Sequence, residues 1–209
     1  MIYNDKYQQI KILNISNFSM LIEVKEKNEE KNHYALKIIK NNLNEEYKNE
    51  IEVMKNIKSK YVIKLKDYFY DEINDGYCIV MELCDSNLRQ ILNKYKPKGL
   101  PLDIINKIFI QLNDVLKAMI DVDYTHRDLK PENILIKYTD NNKNDFDIKL
   151  TDFGLSINKT YFSNYKYNNK CDLWSLGILL YELYTNNYIF YSKNPKEEEN
   201  NRYNGIIIK

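Results

Sequence analysis

The stretch that most constrains the fold of this chain runs from Tyr124 to Ile134 and reads YTHRDLKPENI. The 209 residues include only two histidines, three arginines and four prolines, and this stretch holds His126, Arg127 and Pro131 within six positions. A charged surface turn ahead of a strand is the plain interpretation of such a segment. It does not explain why scarce residue types stand side by side, so the spacing indicates a chemical site.

The residue types of this stretch fit the transfer of a phosphoryl group. Asp128 is a carboxylate that can accept the proton of an attacking hydroxyl. Asn133, five positions later, offers a neutral oxygen to a hard cation such as Mg²⁺. Lys130 can neutralise charge on a transferring group. Each specified position of H-R-D-L-x-x-x-N is filled, so the segment resembles the catalytic loop of eukaryotic protein kinases.

Composition excludes several classes of function. The 31 Lys+Arg and 30 Asp+Glu residues balance to a net charge of +1, which predicts no affinity for nucleic acid or anionic membranes. Cys78, Cys84 and Cys171 are scattered, so neither a disulfide framework nor a zinc site is expected. The first residues do not read as a secretory signal, and no apolar run is long enough to span a bilayer. A soluble, cytoplasmic protein is therefore expected.

The first 83 residues are predicted to form a small antiparallel sheet with one helix. Apolar patterning indicates strands beginning near Ile10 and over Met20–Lys25, His33–Lys40, Leu65–Tyr70 and Tyr77–Leu83, and a helix over Asn42–Ser59. On the third strand, Tyr34–Lys37 resembles the kinase motif V-A-I-K. The resemblance implies that Ala35 lies against adenine and that Lys37 reaches the α- and β-phosphates. It also implies a helix glutamate paired with Lys37, for which Glu50 is the first candidate and Glu46 the second.

The segment from Asn14 to Leu21 departs from the family. It is similar in register to the phosphate-binding loop G-x-G-x-x-G-x-V, but Asn14, Ser16 and Ser19 stand at the glycine places. Glycine lets backbone N–H groups approach phosphates closely. A plain hairpin remains the alternative for this segment. On the resemblance, Leu13 and Leu21 flank the nucleotide.

The segment MELCDSNL resembles the hinge between kinase lobes. The nucleotide contacts that the resemblance implies here and on the following strand involve Met81, Glu82, Cys84 and Leu135. At the hinge they are mainly main-chain contacts, and either Asp85 or Asn87 would reach the ribose.

After the hinge the pattern predicts a mainly helical region. Helices are expected over Asn87–Tyr95 and from Pro101 to Ile120, followed by a hairpin whose strands are Ile134–Ile136 and Ile148–Thr151. The hairpin leads to Asp152-Phe153-Gly154, where the resemblance makes Asp152 the main Mg²⁺ ligand. A further helix, apolar nearly all round, carries Asp172, which would accept N–H groups of the catalytic loop.

Two features of the last third differ from the family. The segment after Gly154 is about half the usual length and lacks A-P-E. Thr160, Tyr161 and Ser163 lie in it, but nothing in the sequence selects one as a phosphorylation site. The tail leaves no room for the helices that usually complete the large lobe. Exposed apolar surface on the last helix, and a partner chain covering it, are therefore expected.

The resemblance implies an α+β, bilobal protein-kinase-like fold whose helical lobe lacks its last helices. The expected division is a small lobe over about 1–83, a hinge over about 82–87 and a large lobe over about 88–209. The implied reaction is transfer of the γ-phosphoryl group of ATP, with Mg²⁺, to protein hydroxyls, and Lys130 within DLKPEN resembles the serine/threonine branch. The alternatives are a nucleotide-binding scaffold without activity and an incomplete fragment of a kinase.

Overall fold

The structure is a computed structural model that describes residues 1–29, 31–40, 44–158 and 170–189. The small lobe contains β1 (Ile2–Tyr3), β2 (Tyr7–Ile15), β3 (Ser19–Glu26), β4 (His33–Lys40), α1 (Asn44–Asn56), β5 (Leu65–Asp71) and β6 (Gly76–Glu82). The large lobe contains β7 (Ser86–Asn87), α2 (Leu88–Lys94), α3 (Leu102–Ile120), β8 (Tyr124–Thr125), a 3-10 turn (Pro131–Asn133), β9 (Ile134–Tyr138), β10 (Phe146–Leu150), β11 (Ile157–Asn158) and α4 (Lys170–Thr185).

The small lobe is one antiparallel sheet in the order β1-β2-β3-β4-β6-β5. Alternation along β3 and β4 buries Ile22, Val24 and Leu36 completely on one face. The two-residue strand β1 was not predicted from the sequence. Its Tyr3 and its neighbour Tyr7 are 1% and 0% exposed and close this core, although tyrosine patterning alone did not show which face they take.

Helix α1 lies beside the sheet and ends earlier than the sequence indicated. The predicted stripe is confirmed at Tyr47, Ile51 and Ile57, all of which are buried. The helix stops at Asn56 rather than Ser59. The Ser59 hydroxyl accepts the N–H of Tyr61 at 3.2 Å, and such a local side-chain contact favours a turn over a further helical turn.

In the large lobe, α3 and α4 form the helical core. The apolar stripe of α3 is confirmed: Ile105, Ile108, Leu112, Val115, Leu116 and Met119 are buried. On α4, Leu176, Leu179 and Leu183 are buried. The prediction that α4 is a core helix nearly all round is wrong at its first turn, where Leu173 and Trp174 are 58% and 54% exposed. This is the exposed apolar surface expected on that helix.

The two lobes share a backbone connection behind the cleft. Leu150, at the end of β10, donates its N–H to Tyr61 O at 2.7 Å and accepts the N–H of Ile63 at 2.9 Å. These bonds fix the segment after α1 against the strand that leads to Asp152. The position of α1 is therefore coupled to the floor of the cleft.

No helix within the part of the chain that the structure describes is long and apolar enough to cross a membrane.

Candidate active site

Lys37, Glu50 and Asp152 meet in the cleft between the lobes. The Lys37 ammonium donates to both Glu50 oxygens at 2.7 and 2.8 Å and to Asp152 Oδ1 at 2.9 Å. Burial would lower the pKa of Lys37, but the two carboxylates outweigh it and raise that pKa. Burial would likewise raise the pKa of Asp152, and Lys37 outweighs it and lowers that pKa. Both groups are therefore charged at neutral pH.

The local sequence explains why these groups meet. Lys37 and Ala35 share a face of β4 because side chains alternate along a strand. Lys37 lies opposite Leu21 of β3. Glu50, predicted as the partner of Lys37, is 1% exposed and fills that role, whereas the alternative Glu46 lies against Gly154.

The catalytic loop places Asp128 between two donors. Lys130 Nζ lies 2.5 Å from Asp128 Oδ2, and Asn133 Nδ2 donates to the same oxygen at 2.9 Å. Asn133 Nδ2 also donates to the Asp128 carbonyl at 2.8 Å. Among the described residues, Asp128 Oδ1 accepts no hydrogen bond from a side chain. That oxygen is available to a hydroxyl substrate.

The loop backbone is held from beneath by Asp172, as predicted. Its carboxylate accepts the N–H groups of His126 and Arg127, both at 2.8 Å. Arg127 has φ of 72°, a conformation that costs a non-glycine residue energy unless its surroundings hold it. The two hydrogen bonds supply that restraint.

The buried His126 connects the catalytic loop to the next strand. Its Nε2 lies 3.1 Å from Thr151 O, and its Nδ1 lies 3.2 Å from the N–H of Asp128. Burial lowers the pKa of His126, so the ring is neutral. A neutral ring that donates from Nε2 and accepts at Nδ1 satisfies both contacts.

The segment Asp152–Gly154 is turned so that its side chains face opposite ways. Asp152 has φ of 68° and points to Lys37, while Phe153 is fully buried and contacts the His126 ring edge-on with centroids 5.2 Å apart. Asn49 of α1 donates to Gly154 O at 3.3 Å. Asp152 is thus positioned by a buried anchor and by α1 together.

The residues that the resemblance implied around adenine at the hinge and on the following strand differ in burial. Met81 is buried, Leu135 is partly buried, and burial raises the pKa of Cys84 to about 12, so its thiol is uncharged. The suggestion that Asp85 or Asn87 reaches a ribose stays a prediction, and in this structure each side chain bonds to a backbone N–H. Asp85 accepts the N–H of Tyr138 at 3.0 Å, and Asn87 caps α2 by accepting the N–H of Gln90 at 2.9 Å. Both side chains are held by neighbouring backbone.

The Glu82 side chain makes contacts of its own. Its side chain accepts the N–H of Lys64 at 3.0 Å and pairs with Lys149 at 3.0 Å. These contacts tie the hinge to Lys64, the residue before β5, and to β10. Only backbone contacts were expected at Glu82. Its position in the hinge sequence did not predict these side-chain contacts.

The oxygen atoms needed for a hard cation are present. Asn133 Nδ2 is fixed on Asp128, so Asn133 Oδ1 turns away from it and accepts no hydrogen bond among the described residues. Asp152 Oδ1 accepts the hydrogen bond from Lys37, which leaves Asp152 Oδ2 for a cation. No group of three or more His, Cys, Asp or Glu side chains in the described residues forms a metal cage. Two protein oxygens fit Mg²⁺, which usually completes its shell with water and phosphate oxygens.

The segment Asn14–Leu21 forms the tip of the hairpin between β2 and β3. Its turn is closed by Ser16 and Ser19 rather than opened by glycine. Leu13 at the end of β2 is 39% exposed, and Leu21 is partly buried. The hydroxyls at Thr160, Tyr161 and Ser163 lie outside the described residues.

Sequence reasoning missed two ion pairs that Arg89 makes in the large lobe. Arg89 of α2 donates from Nε to Glu132 at 2.7 Å and from Nη1 to Glu182 of α4 at 2.5 Å. The scarcity of arginine in the chain was a signal that could have drawn attention to them. These ion pairs tie the catalytic loop to α2 and α4.

Comparison with known proteins agrees with this geometry. A sequence model of the protein kinase domain matches residues 7–165. A homolog of dual specificity tyrosine-phosphorylation-regulated kinase 3 from Drosophila melanogaster is 29% identical over 92% of this chain and 25% of the relative. Serine/threonine-protein kinase 33 from Bos taurus is 30% identical over 83% of this chain and 40% of the relative. The chain thus spans less than half of either relative.

A solved kinase-domain crystal structure has the same fold. It superposes with a TM-score of 0.78 at 23% identity and covers 93% of this chain and 68% of that chain. The α+β bilobal fold expected from the sequence is confirmed.

Proposed function

Because the chain belongs to the protein kinase domain family, we propose that it transfers the γ-phosphoryl group of ATP to serine and threonine hydroxyls of protein substrates. Family and relatives support phosphoryl transfer to proteins, but one relative is named for dual specificity and another for serine/threonine. The choice of acceptor rests on Lys130 within DLKPEN. Its ammonium lies 2.5 Å from Asp128, the proposed base.

One observation carries the proposal. Asp128 presents an oxygen without a partner in the described part of the chain, and the two atoms suited to Mg²⁺, on Asn133 and Asp152, belong to the same cleft. A kinase needs this combination of a base for the hydroxyl and oxygens for the metal. A protein that only holds nucleotide needs no base.

The proposed nucleotide site extends from the hinge to Lys37. Adenine would lie between Ala35 and Leu135, with Leu13, Leu21 and Met81 around it. Its polar edge would meet the backbone of Glu82 and Cys84. The phosphates would meet Lys37, which Glu50 holds in position with two hydrogen bonds.

Each remaining side chain has a defined part. Bound Mg²⁺ would supply positive charge to the phosphate oxygens, held by Asn133 and Asp152. Asp128 Oδ1 would accept the hydrogen of the substrate hydroxyl, orient it and take its proton. Lys130 would leave Asp128 to offset charge on the transferring group. Positioning and electrostatics account for most of the rate in this chemistry.

The acceptor specificity can be measured directly. The 209-residue chain is incubated with γ-labelled ATP, Mg²⁺ and matched peptides that differ only in carrying serine, threonine or tyrosine. We expect label on the serine and threonine peptides. A Lys37→Met variant serves as the inactive control. Label confined to the tyrosine peptide would contradict the proposal.

The second candidate is a nucleotide-binding scaffold without transfer activity. The observation that favours it is the phosphate loop closed by Ser16 and Ser19. The peptide assay and a separate measurement of ADP binding distinguish the two: ADP binding with no label on any peptide would indicate the scaffold.

The lobe boundaries expected from the sequence complete the proposal. The small lobe would span about 1–83, the hinge about 82–87 and the large lobe about 88–209. The exposed Leu173 and Trp174 support a partner chain that covers α4.

A further inference from the structure

The phosphate loop of this chain is closed on itself by one side chain. Ser16 Oγ accepts the N–H of Ser19 at 3.0 Å and the N–H of Phe18 at 3.3 Å. It lies 3.1 Å from Ser19 O, to which it can donate. The N–H of Ser16 also donates to Ser19 O at 2.9 Å. Of the four N–H groups from residue 16 to residue 19, three are therefore used inside the turn.

The turn is fixed at the mouth of the cleft. Leu21, two residues after Ser19, lies opposite Lys37 in the sheet. The N–H of Lys40 donates to Phe18 O at 3.3 Å, which attaches the tip to the end of β4. The same N–H groups that Ser16 occupies thus belong to the hairpin above the proposed phosphate position.

Resting on the proposed function, we propose that Ser16 is a specificity-determining residue that takes the place of a phosphate oxygen on the loop. A hydroxyl oxygen accepting two backbone N–H groups makes the contacts that a phosphate oxygen makes in an open loop. Phosphate binding here exchanges one set of hydrogen bonds for another instead of adding new ones. The loop therefore contributes little to the preference of the site for ADP over adenosine. Most of the affinity for the nucleotide comes from the hinge, Lys37 and the metal.

The exchange of hydrogen bonds at Ser16 sets the size of the expected change in affinity. Removing the Ser16 hydroxyl leaves the N–H groups of Phe18 and Ser19 without their acceptor. Because the turn is exposed, water then solvates these N–H groups, and a phosphate that binds them gains only the net free energy of a hydrogen bond to a charged group. That gain corresponds to about tenfold in affinity. Adenosine lacks a phosphate, so its affinity is unchanged.

The test compares Ser16→Ala with Ser16→Thr in the full chain. Isothermal titration calorimetry without divalent cations gives the dissociation constants of ADP and adenosine, so the metal does not contribute. We expect the ratio of the adenosine constant to the ADP constant to rise about tenfold in Ser16→Ala. Ser16→Thr keeps the γ-oxygen, and its ratio stays within about twofold of the wild type.

Amide hydrogen exchange gives a readout that does not depend on binding. In the free protein the peptide covering residues 14–21 exchanges faster in Ser16→Ala than in the wild type or Ser16→Thr. Addition of ADP restores protection in Ser16→Ala.

Two results overturn the inference alone. An unchanged ratio in Ser16→Ala, with adenosine binding intact, means that these N–H groups do not face the phosphates. A lower ADP affinity in Ser16→Ala means that the hydroxyl itself binds phosphate. If no variant binds adenosine or ADP, the proposed function fails and this inference fails with it.

Discussion

Replacing Asp172 by alanine is expected to destabilise the protein and release the catalytic loop. Asp172 is 5% exposed and is the acceptor of two backbone N–H groups, those of His126 and Arg127. Alanine leaves both donors in place without an acceptor. Water replaces the carboxylate poorly at His126, which is fully buried.

The magnitude follows from these two bonds. A buried donor left unsatisfied costs about 1–3 kcal/mol, so two donors span about 2–6 kcal/mol. Arg127 N–H is only part-buried, which favours the lower half of that range. Relaxation of Arg127 from its positive φ recovers part of the loss, because such strain costs about 1–3 kcal/mol. We therefore expect a loss of about 2 kcal/mol in the free energy of unfolding.

Urea denaturation measures this loss, with Asp114→Ala as the matched control. Asp114 is an exposed aspartate on α3, so its replacement should change the free energy of unfolding by less than about 0.5 kcal/mol. Hydrogen exchange at residues 126–128 should also accelerate in Asp172→Ala. If the free energy of unfolding of Asp172→Ala lies within about 0.5 kcal/mol of the wild-type value, the assigned role of Asp172 is refuted.

Three further predictions concern the cleft and its supports. Glu50→Gln removes the charge that holds Lys37 and should weaken Mg²⁺-ADP binding about tenfold in calorimetry; unchanged binding would contradict the pairing. Arg89→Leu breaks two ion pairs and should lower the free energy of unfolding by about 2–3 kcal/mol, and Arg89→Lys should recover less than half, because an ammonium cannot reach both acids in the same way. Burial would raise the pKa of Asp67, but its hydrogen bonds outweigh this and lower it, so its stabilisation is complete above the unfolded value of about 3.9 and is lost as the pH falls through the folded value. Urea midpoints should therefore fall more between about pH 5 and about pH 2 in the wild type than in Asp67→Asn, and equal falls would rule this out.

The elements with strong patterns were predictable from the sequence. The apolar stripe of α3 is confirmed. A long apolar repeat at 3.6-residue spacing predicts a helix with one buried face. Lys37, Glu50 and Asp152 could be chosen because each stands at a fixed distance from a recognisable motif. Their contacts at 2.7–2.9 Å follow from the fold.

Other features depended on contacts that a sequence does not show. Asp85 and Asn87 have side chains suited to a ribose, and the structure shows each of them accepting a backbone N–H that their place in the sequence did not indicate. Ser16 stands at a glycine place, and nothing in its spacing indicates that its hydroxyl closes the loop. Local side-chain-to-backbone bonds of this kind compete with ligands over short distances, which periodicity does not report.

The central claim is that Asp128 acts on the substrate hydroxyl and not on nucleotide binding. The most direct measurement is single-turnover transfer of labelled phosphate from ATP to a serine peptide by wild type and by Asp128→Asn, with ADP affinity measured on both. We expect the transfer rate to fall by about 10²–10⁴-fold in Asp128→Asn with ADP affinity unchanged. Equal transfer rates, or a loss explained entirely by weaker ADP binding, would contradict it.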